Sequence, residues 1–357
     1  MKRTTLIALC AWLSAMALQA QSDASSHEQE SDDEGLQLTI IPRVDINPSF
    51  STGNGESADN NLFTPTLYTV FEGNIGKHVS FYLSNHWLTY HPEDLYHNTF
   101  HSDLPSWVDQ ANVNYNFDCG LSVGLGKYAT AYGIYEEDAD DWDAHSIIGG
   151  GGSILASGFW NSMMVYEWGL NVGYDLDDNT SLTGQVLASP YGEKPFDSKM
   201  YSYGLQLSSE YETGGSMLAG QLLEMPSGKF AKVLSAGTQY LFNNNFDLTI
   251  DALAYWEPNE DKTHKFYQAQ ASLTYTPSDK FSIMGRLGYE NGFAPEYGIG
   301  YDEEAGCKKN TIYGGVSANY YPLNNQDLRI HGTAALHNQW DEAWLSFGAT
   351  YFFNLFK

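Results

Sequence analysis

From Gln110 to Phe117 the chain alternates without a break: Ala111, Val113, Tyr115 and Phe117 are apolar, and Gln110, Asn112, Asn114 and Asn116 are all amides. A period of two belongs to an extended strand, whose side chains point to opposite faces in turn. One face of this strand is greasy and the other hydrogen-bonds. The same alternation sets Tyr201, Tyr203, Leu205 and Leu207 against Ser202, Gly204, Gln206 and Ser208. It returns in Leu328, Ile330, Gly332, Ala334 and Leu336 against Arg329, His331, Thr333, Ala335 and His337. These runs approach ten residues, whereas strands of soluble sandwiches usually stop at about five or six.

Such segments recur about sixteen times, starting near residues 36, 62, 78, 107, 120, 159, 180, 200, 216, 230, 246, 265, 281, 311, 327 and 343. Their connections alternate between tight turns and longer loops. The tight set lies at 74–78, 116–120, 175–179, 212–215, 243–245, 277–280 and 322–326, all rich in Asn, Asp, Gly or Pro. Seven tight turns between eight longer loops describe a sixteen-stranded meander with both termini at the tight-turn end. In membrane barrels that end is periplasmic. Tyr115, Phe117, Tyr174, Tyr211, Tyr240, Phe242, Tyr275 and Tyr320 sit just before these turns, where an interfacial girdle belongs. Trp87, Trp160, Trp256 and Trp344 lie near the opposite strand ends. The fold class expected is therefore all-β, a transmembrane antiparallel β-barrel of about sixteen strands.

Composition agrees with this reading. Aromatic residues make up 15% of the chain, with 25 Tyr and 34 Gly. The mean hydropathy is only -0.37, because a barrel hides its lipid-facing surface in alternate residues. No segment after the leader approaches the 18 or so apolar residues of a membrane helix. The first 20 residues read as a cleavable secretory signal: Lys2 and Arg3, an apolar stretch from Leu6 to Leu18, then Ala20. Residues 21–35 follow as a disordered acidic lead-in and 36–357 as the barrel. Export leaves Cys119 and Cys307, too few and too far apart for a disulfide framework. A net charge of -27 argues against nucleic acid or acidic lipid as partners.

A barrel of about sixteen strands leaves a water-filled lumen. The longest outer loop, residues 133–158, carries Glu136, Glu137, Asp138, Asp140, Asp141 and Asp143, followed by Gly149 to Gly152. Clustered acids in a narrow aqueous site attract cations and repel anions. They can also hold a divalent cation, or simply be a solvated loop outside the pore. Alternation turns Arg43 and Asp45 on strand 1, Asp247 and Asp251 on strand 11, Arg286 on strand 13, and Arg329 with His331 on strand 15 toward the lumen. These form a mixed wall, or isolated charges solvated by pore water.

The stretch Gly124-Leu125-Gly126-Lys127-Tyr128, leading through Tyr132, Gly133 and Ile134 into the third loop, resembles the Gly-Lys-aromatic run of the phosphate-selective porin O/P-like group. The closing strand, with Leu345, Phe347, Ala349, Tyr351, Phe353 and Leu355, resembles the aromatic-rich terminal strand of outer-membrane barrels. The resemblance implies a channel in the outer membrane of a Gram-negative cell, open to small hydrophilic solutes. It also implies a third loop folded into the lumen as the constriction, a basic wall facing it, and a homotrimer. Phosphate selectivity in that group rests on basic residues at the constriction. This chain has an acidic third loop and 17 Lys and Arg in all, so the expected preference is for cations. Lys127 matches the motif lysine, but Leu121, Val123 and Leu125 place it on the lipid side unless a bulge intervenes. No cofactor is expected. The rival class is a barrel hydrolase at the outer rim, for which His86, His91, His97 and His101 near Ser84, Ser102 and Asp94 are the candidates. They follow no nucleophile motif and no compact metal-ligand spacing.

Overall fold

The computed structural model describes residues 35–46, 49–51, 63–89, 108–131, 135, 166–192, 197–243, 245–258, 263–292, 311–337 and 342–355. Residues 1–34, which cover the expected leader and all but the last residue of the expected acidic lead-in, lie outside them. Sixteen strands form one antiparallel sheet. We count as single strands β1, which runs Leu36–Ile46 and resumes at Ser49–Ser51, and β16, which runs Glu342–Tyr351 and resumes at Phe353–Asn354. Between them come β2 (Phe63–Ile75), β3 (Val79–Thr89), β4 (Val108–Phe117), β5 (Leu121–Ala129), β6 (Tyr166–Asp177), β7 (Thr180–Ala188) and β8 (Tyr201–Tyr211). The series continues with β9 (Gly214–Glu224), β10 (Phe230–Asn243), β11 (Phe246–Pro258), β12 (Thr263–Ser278), β13 (Phe281–Gly292), β14 (Thr311–Tyr320) and β15 (Leu328–His337).

Each strand pairs with its sequence neighbours, and β1 also pairs with β16, Arg43 opposite Thr350 and Asp45 opposite Gly348. The ring therefore closes and leaves no free edge, which lipid requires of any sheet that spans it. Most strands begin within two residues of the expected positions. For the sixth, expected from near 159, the described part begins at Tyr166, and residues 159–165 lie outside the described residues. At the tight-turn end, Gly76 and Gly120 take φ of 61° and 76°, a backbone region open to glycine at little cost. The opposite end departs from the expectation of uniformly long loops. The connections at 225–229, 259–262 and 338–341 are short, and β10, β11 and β12 lengthen to 14, 13 and 16 residues beside two of them.

Burial is inverted relative to a water-soluble protein. Outward rows expose Val113 at 53%, Leu125 at 66% and Leu287 at 63%, while the inward rows bury Thr39, Asn171, Gln185, Gln268 and Thr333. A continuous apolar outer surface of this kind is stable only against hydrocarbon. On β4 the expected faces are the observed ones, with Val113, Tyr115 and Phe117 exposed outward and Asn112 buried inward. Aromatic rings pair along the tight-turn rim: Tyr115 with Phe117 at 4.7 Å, Tyr240 with Phe242 at 4.8 Å, Phe246 with Tyr275 at 4.5 Å. Their amphipathic edges suit the headgroup level.

Candidate functional site

Where the ring closes, a charged cluster faces inward. Arg43 Nε lies 2.6 Å from Asp45 Oδ2, and His331 Nε2 donates to Asp45 Oδ1 at 2.6 Å. The register explains the meeting: Asp45 on β1 and His331 on β15 both stand opposite Gly348 of β16. A Cβ at Gly348 would sit 2.0 Å from Asp45 Oδ1 and 2.6 Å from His331 Nε2, so the contact needs glycine between them. One step toward the tight-turn end, Arg43 and Arg329 both flank Thr350, and Arg329 donates to its hydroxyl at 3.3 Å. The Arg329 guanidinium also lies 5.8 Å from the centroid of the Phe352 ring. Charge-assisted bonds hold these groups where they are nearly excluded from solvent.

The expected lumen charges thus separate into groups. Arg43, Asp45, Arg329 and His331 come together, whereas Arg286 on β13 turns to β12 and donates from Nε to Ser272 Oγ at 2.8 Å. On β11, Asp247 accepts from Gln239 at 2.6 Å and Asp251 accepts from Gln270 at 3.4 Å. Gln270 in turn accepts from the Tyr313 hydroxyl at 3.2 Å. Tyr313 reaches it by lying across Gly288, where a Cβ would meet the ring at 2.0 Å.

Two connections enter the barrel. The chain leaving β5 turns inward: Ala131 N donates to Gln185 Oε1 at 2.7 Å, and Gln185 Nε2 returns a bond to Ala129 O at 2.9 Å. Ala131 packs over the inward-facing Gly204 of β8, whose Cβ would be 2.8 Å from its own. Tyr135 lies further on, its hydroxyl over the inward side of Gly215 at the tight-turn end of β9, where a Cβ would be 2.6 Å away. Glu136, Glu137, Asp138, Asp140, Asp141 and Asp143 follow directly in the chain and lie outside the described residues.

The connection after β7 is the second. Tyr191 is buried, donates to Glu257 Oε2 at 3.1 Å and touches the Tyr255 hydroxyl; Tyr255 also bonds Glu257. Leu223, Ala231, Val233, Leu253 and Phe266 pack with them. Sequence reasoning passed over these residues. Their signal is a local failure of alternation, as in Leu253-Ala254-Tyr255-Trp256, where inward positions turn apolar because protein rather than water covers them.

Lys127 keeps the outward register, opposite Ala111 and Trp168, with no register shift along β5. It is nonetheless buried; its ammonium donates to Val108 O at 2.5 Å and lies near the buried acids Asp109 and Glu167. Of the hydrolase candidates, Ser84 is buried in the wall, and the side chains of His86, Asp94, His91, His97, His101 and Ser102 lie outside the described residues. Cys119 is exposed in the β4–β5 turn, and Cys307 lies outside them as well.

No protein-family model matches the sequence, and no curated protein matches it. Solved structures do match. The outer membrane channel DcaP of Acinetobacter baumannii superposes with a TM-score of 0.57 at 11% identity, over 89% of this chain and 96% of that one. The fold is that of a porin-type barrel. A mutant of the Rh. blastica porin matches at TM-score 0.57 and 13% identity, over 89% of this chain and 100% of its own. OmpT of Vibrio cholerae, also expressed in the outer membrane, gives 0.57 and 10% over 91% of this chain and 100% of its own.

Proposed function

We propose that this porin-type barrel is an outer-membrane channel for passive diffusion of small hydrophilic solutes and ions, with cations preferred. The observation that carries the reading is the path of the chain after β5. Ala131 and Tyr135 rest against inward-facing glycines of β8 and β9, and six acids follow Tyr135 in sequence. Acids on a connection that has entered the lumen favour cations, the more so because the arginines Arg43 and Arg329 are buried and partly offset by Asp45. On the wall, the half-buried Asp247 carries the same sign and the half-buried Arg286 the opposite one, while Asp251 is as buried as the arginines. The exposed apolar outer surface supports a bilayer location, and the leader supports export. Assembly as a homotrimer rests on likeness to sixteen-stranded porins.

Channel recording in a planar bilayer tests this. A reversal potential of cation-selective sign in a KCl gradient is the expected result. Chloride preference would remove the acids from the constriction and favour an anion- or phosphate-selective pore. Absence of conductance would turn attention to a rim hydrolase. Gel mobility of the unheated protein reads the assembly.

A further inference from the structure

The outward face of β10, β11 and β12 carries two lysines at the end away from the tight turns. Lys232 stands directly opposite Trp256, and Trp256 directly opposite Lys265, so the three form one row across neighbouring strands. Their outward direction follows from their neighbours. On β10 Val233 and Ser235 are buried on the inner side and Leu234 is exposed; on β12 Phe266 and Gln268 are buried and Tyr267 is exposed. Opposite residues on one face hold their Cβ atoms about 5 Å apart, so the two lysine stems start roughly 10 Å from each other with the indole between them. Both lysines are exposed, and neither makes an ion pair or a side-chain hydrogen bond among the described residues.

Their depth is read along β11. Phe246 belongs to the aromatic rim of the tight turns, where its ring stacks on Tyr275, and Trp256 lies ten residues further along the strand. At about 3.3 Å per residue and a tilt of about 40°, ten residues climb roughly 25 Å, the height of the apolar band of such barrels. The row therefore sits at the opposite interface, just beyond the exposed Leu234 and Tyr267, and the lysines reach headgroup level. From the β7–β8 connection to the start of β12, the exposed charged side chains among the described residues at this end are Lys199, Lys229, Lys232 and Lys265 against Asp197. The nearby acids Glu224 and Glu257 are buried, Glu224 accepting from Tyr201 N and Glu257 from Tyr191. The connection at 259–262, with Glu260, Asp261 and Lys262, lies outside the described residues and forms no part of the row. In a chain of net charge -27, this sector is locally basic.

We propose that Lys232 and Lys265, flanking Trp256, bind the phosphate of an anionic lipid on the outside of the barrel, a phosphorylated glycolipid of the outer leaflet. The inference rests on the outer-membrane reading and is independent of ion selectivity. Each ammonium is a compact phosphate donor, the indole lies at the level where amphipathic rings settle, and the apolar surface below takes the acyl chains. The overall negative charge keeps acidic lipid from the barrel as a whole; this row fixes where one molecule is held.

Native mass spectrometry of the protein in mild detergent, titrated with lipid A carrying both its phosphates, tests the site. Folding of every variant is verified by heat-modifiable gel mobility. The double variant Lys232→Gln with Lys265→Gln is expected to weaken retention about 10- to 30-fold, the worth of two lysines at an anionic surface. Lys232→Arg with Lys265→Arg should retain the lipid. Lys280→Gln, exposed at the tight-turn end, should leave retention unchanged. Lipid A stripped of its phosphates should not distinguish wild type from the double Gln variant. Undiminished retention by the double Gln variant, or an equal loss from Lys280→Gln, in protein that conducts in a planar bilayer overturns the proposal and leaves the channel reading intact. A wild-type protein that fails to insert into bilayers overturns both.

Discussion

His331 Nε2 and Asp45 Oδ1 meet at 2.6 Å although the residues are 286 positions apart, because β16 lies between their strands and offers Gly348 at the crossing point. The first prediction follows from that crossing. Gly348→Ala would place a methyl 2.0 Å from Asp45 Oδ1 and 2.6 Å from Val44 O, and the carbonyl cannot give way. The expected loss is about 1–3 kcal/mol of barrel stability. Asp45→Ala, which leaves Arg43 and His331 without their shared carboxylate, should cost about 3–5 kcal/mol. Urea unfolding of the protein in lipid vesicles measures both, and near-wild-type stability of Asp45→Ala would show that the cluster contributes nothing to closure.

The second prediction concerns the two faces of β4. Val113 is 53% exposed on the outward row, and an arginine there meets hydrocarbon. Val113→Arg should cost about 2–4 kcal/mol near the midplane. Asn116→Arg, on the half-buried lumen row, should fold with close to wild-type stability. Equal losses from the two changes would contradict the assignment of faces.

Selectivity supplies the third. Replacing Asp138, Asp140 and Asp141 together by Asn should move the reversal potential toward zero in a KCl gradient. The effect should be largest at low salt, because the Debye length is about 8 Å at physiological ionic strength and shortens as salt rises. An unchanged potential would take selectivity away from these acids and leave it to half-buried wall groups such as Asp247.

The fourth uses Cys119 and Cys307. Cys119 is exposed in a tight turn, and residue 307 falls in sequence between β13 and β14, whose facing ends are at the other end of the barrel. In Cys307→Ser protein, a maleimide carrying a polymer too large for the pore should label Cys119 only after the outer membrane is permeabilised. Labelling on intact cells would reverse the orientation. For the same reason no intramolecular disulfide between Cys119 and Cys307 should appear by mass spectrometry of unreduced protein.

The sequence by itself determined the number of strands, their alternating faces and the end at which the turns are tight. These are local properties. The amides of Asn112, Asn114 and Asn116 and the apolar side chains between them carry the period of two within one segment. Turn residues such as Gly76 and Gly120 mark where each hairpin reverses. Parity alone also turned Asp45 and His331 inward, and it placed Lys127 on the outward row. The tertiary structure decided which inward groups meet, because that depends on the register between strands distant in sequence. Asp45 finds His331 only once β1 pairs with β16, and Arg286 is left to Ser272 on another arc. Tyr191 was illegible for a stronger reason. No periodicity describes a connection, and its place on Tyr255 and Glu257 exists only after the ring has closed and given the chain an interior to enter.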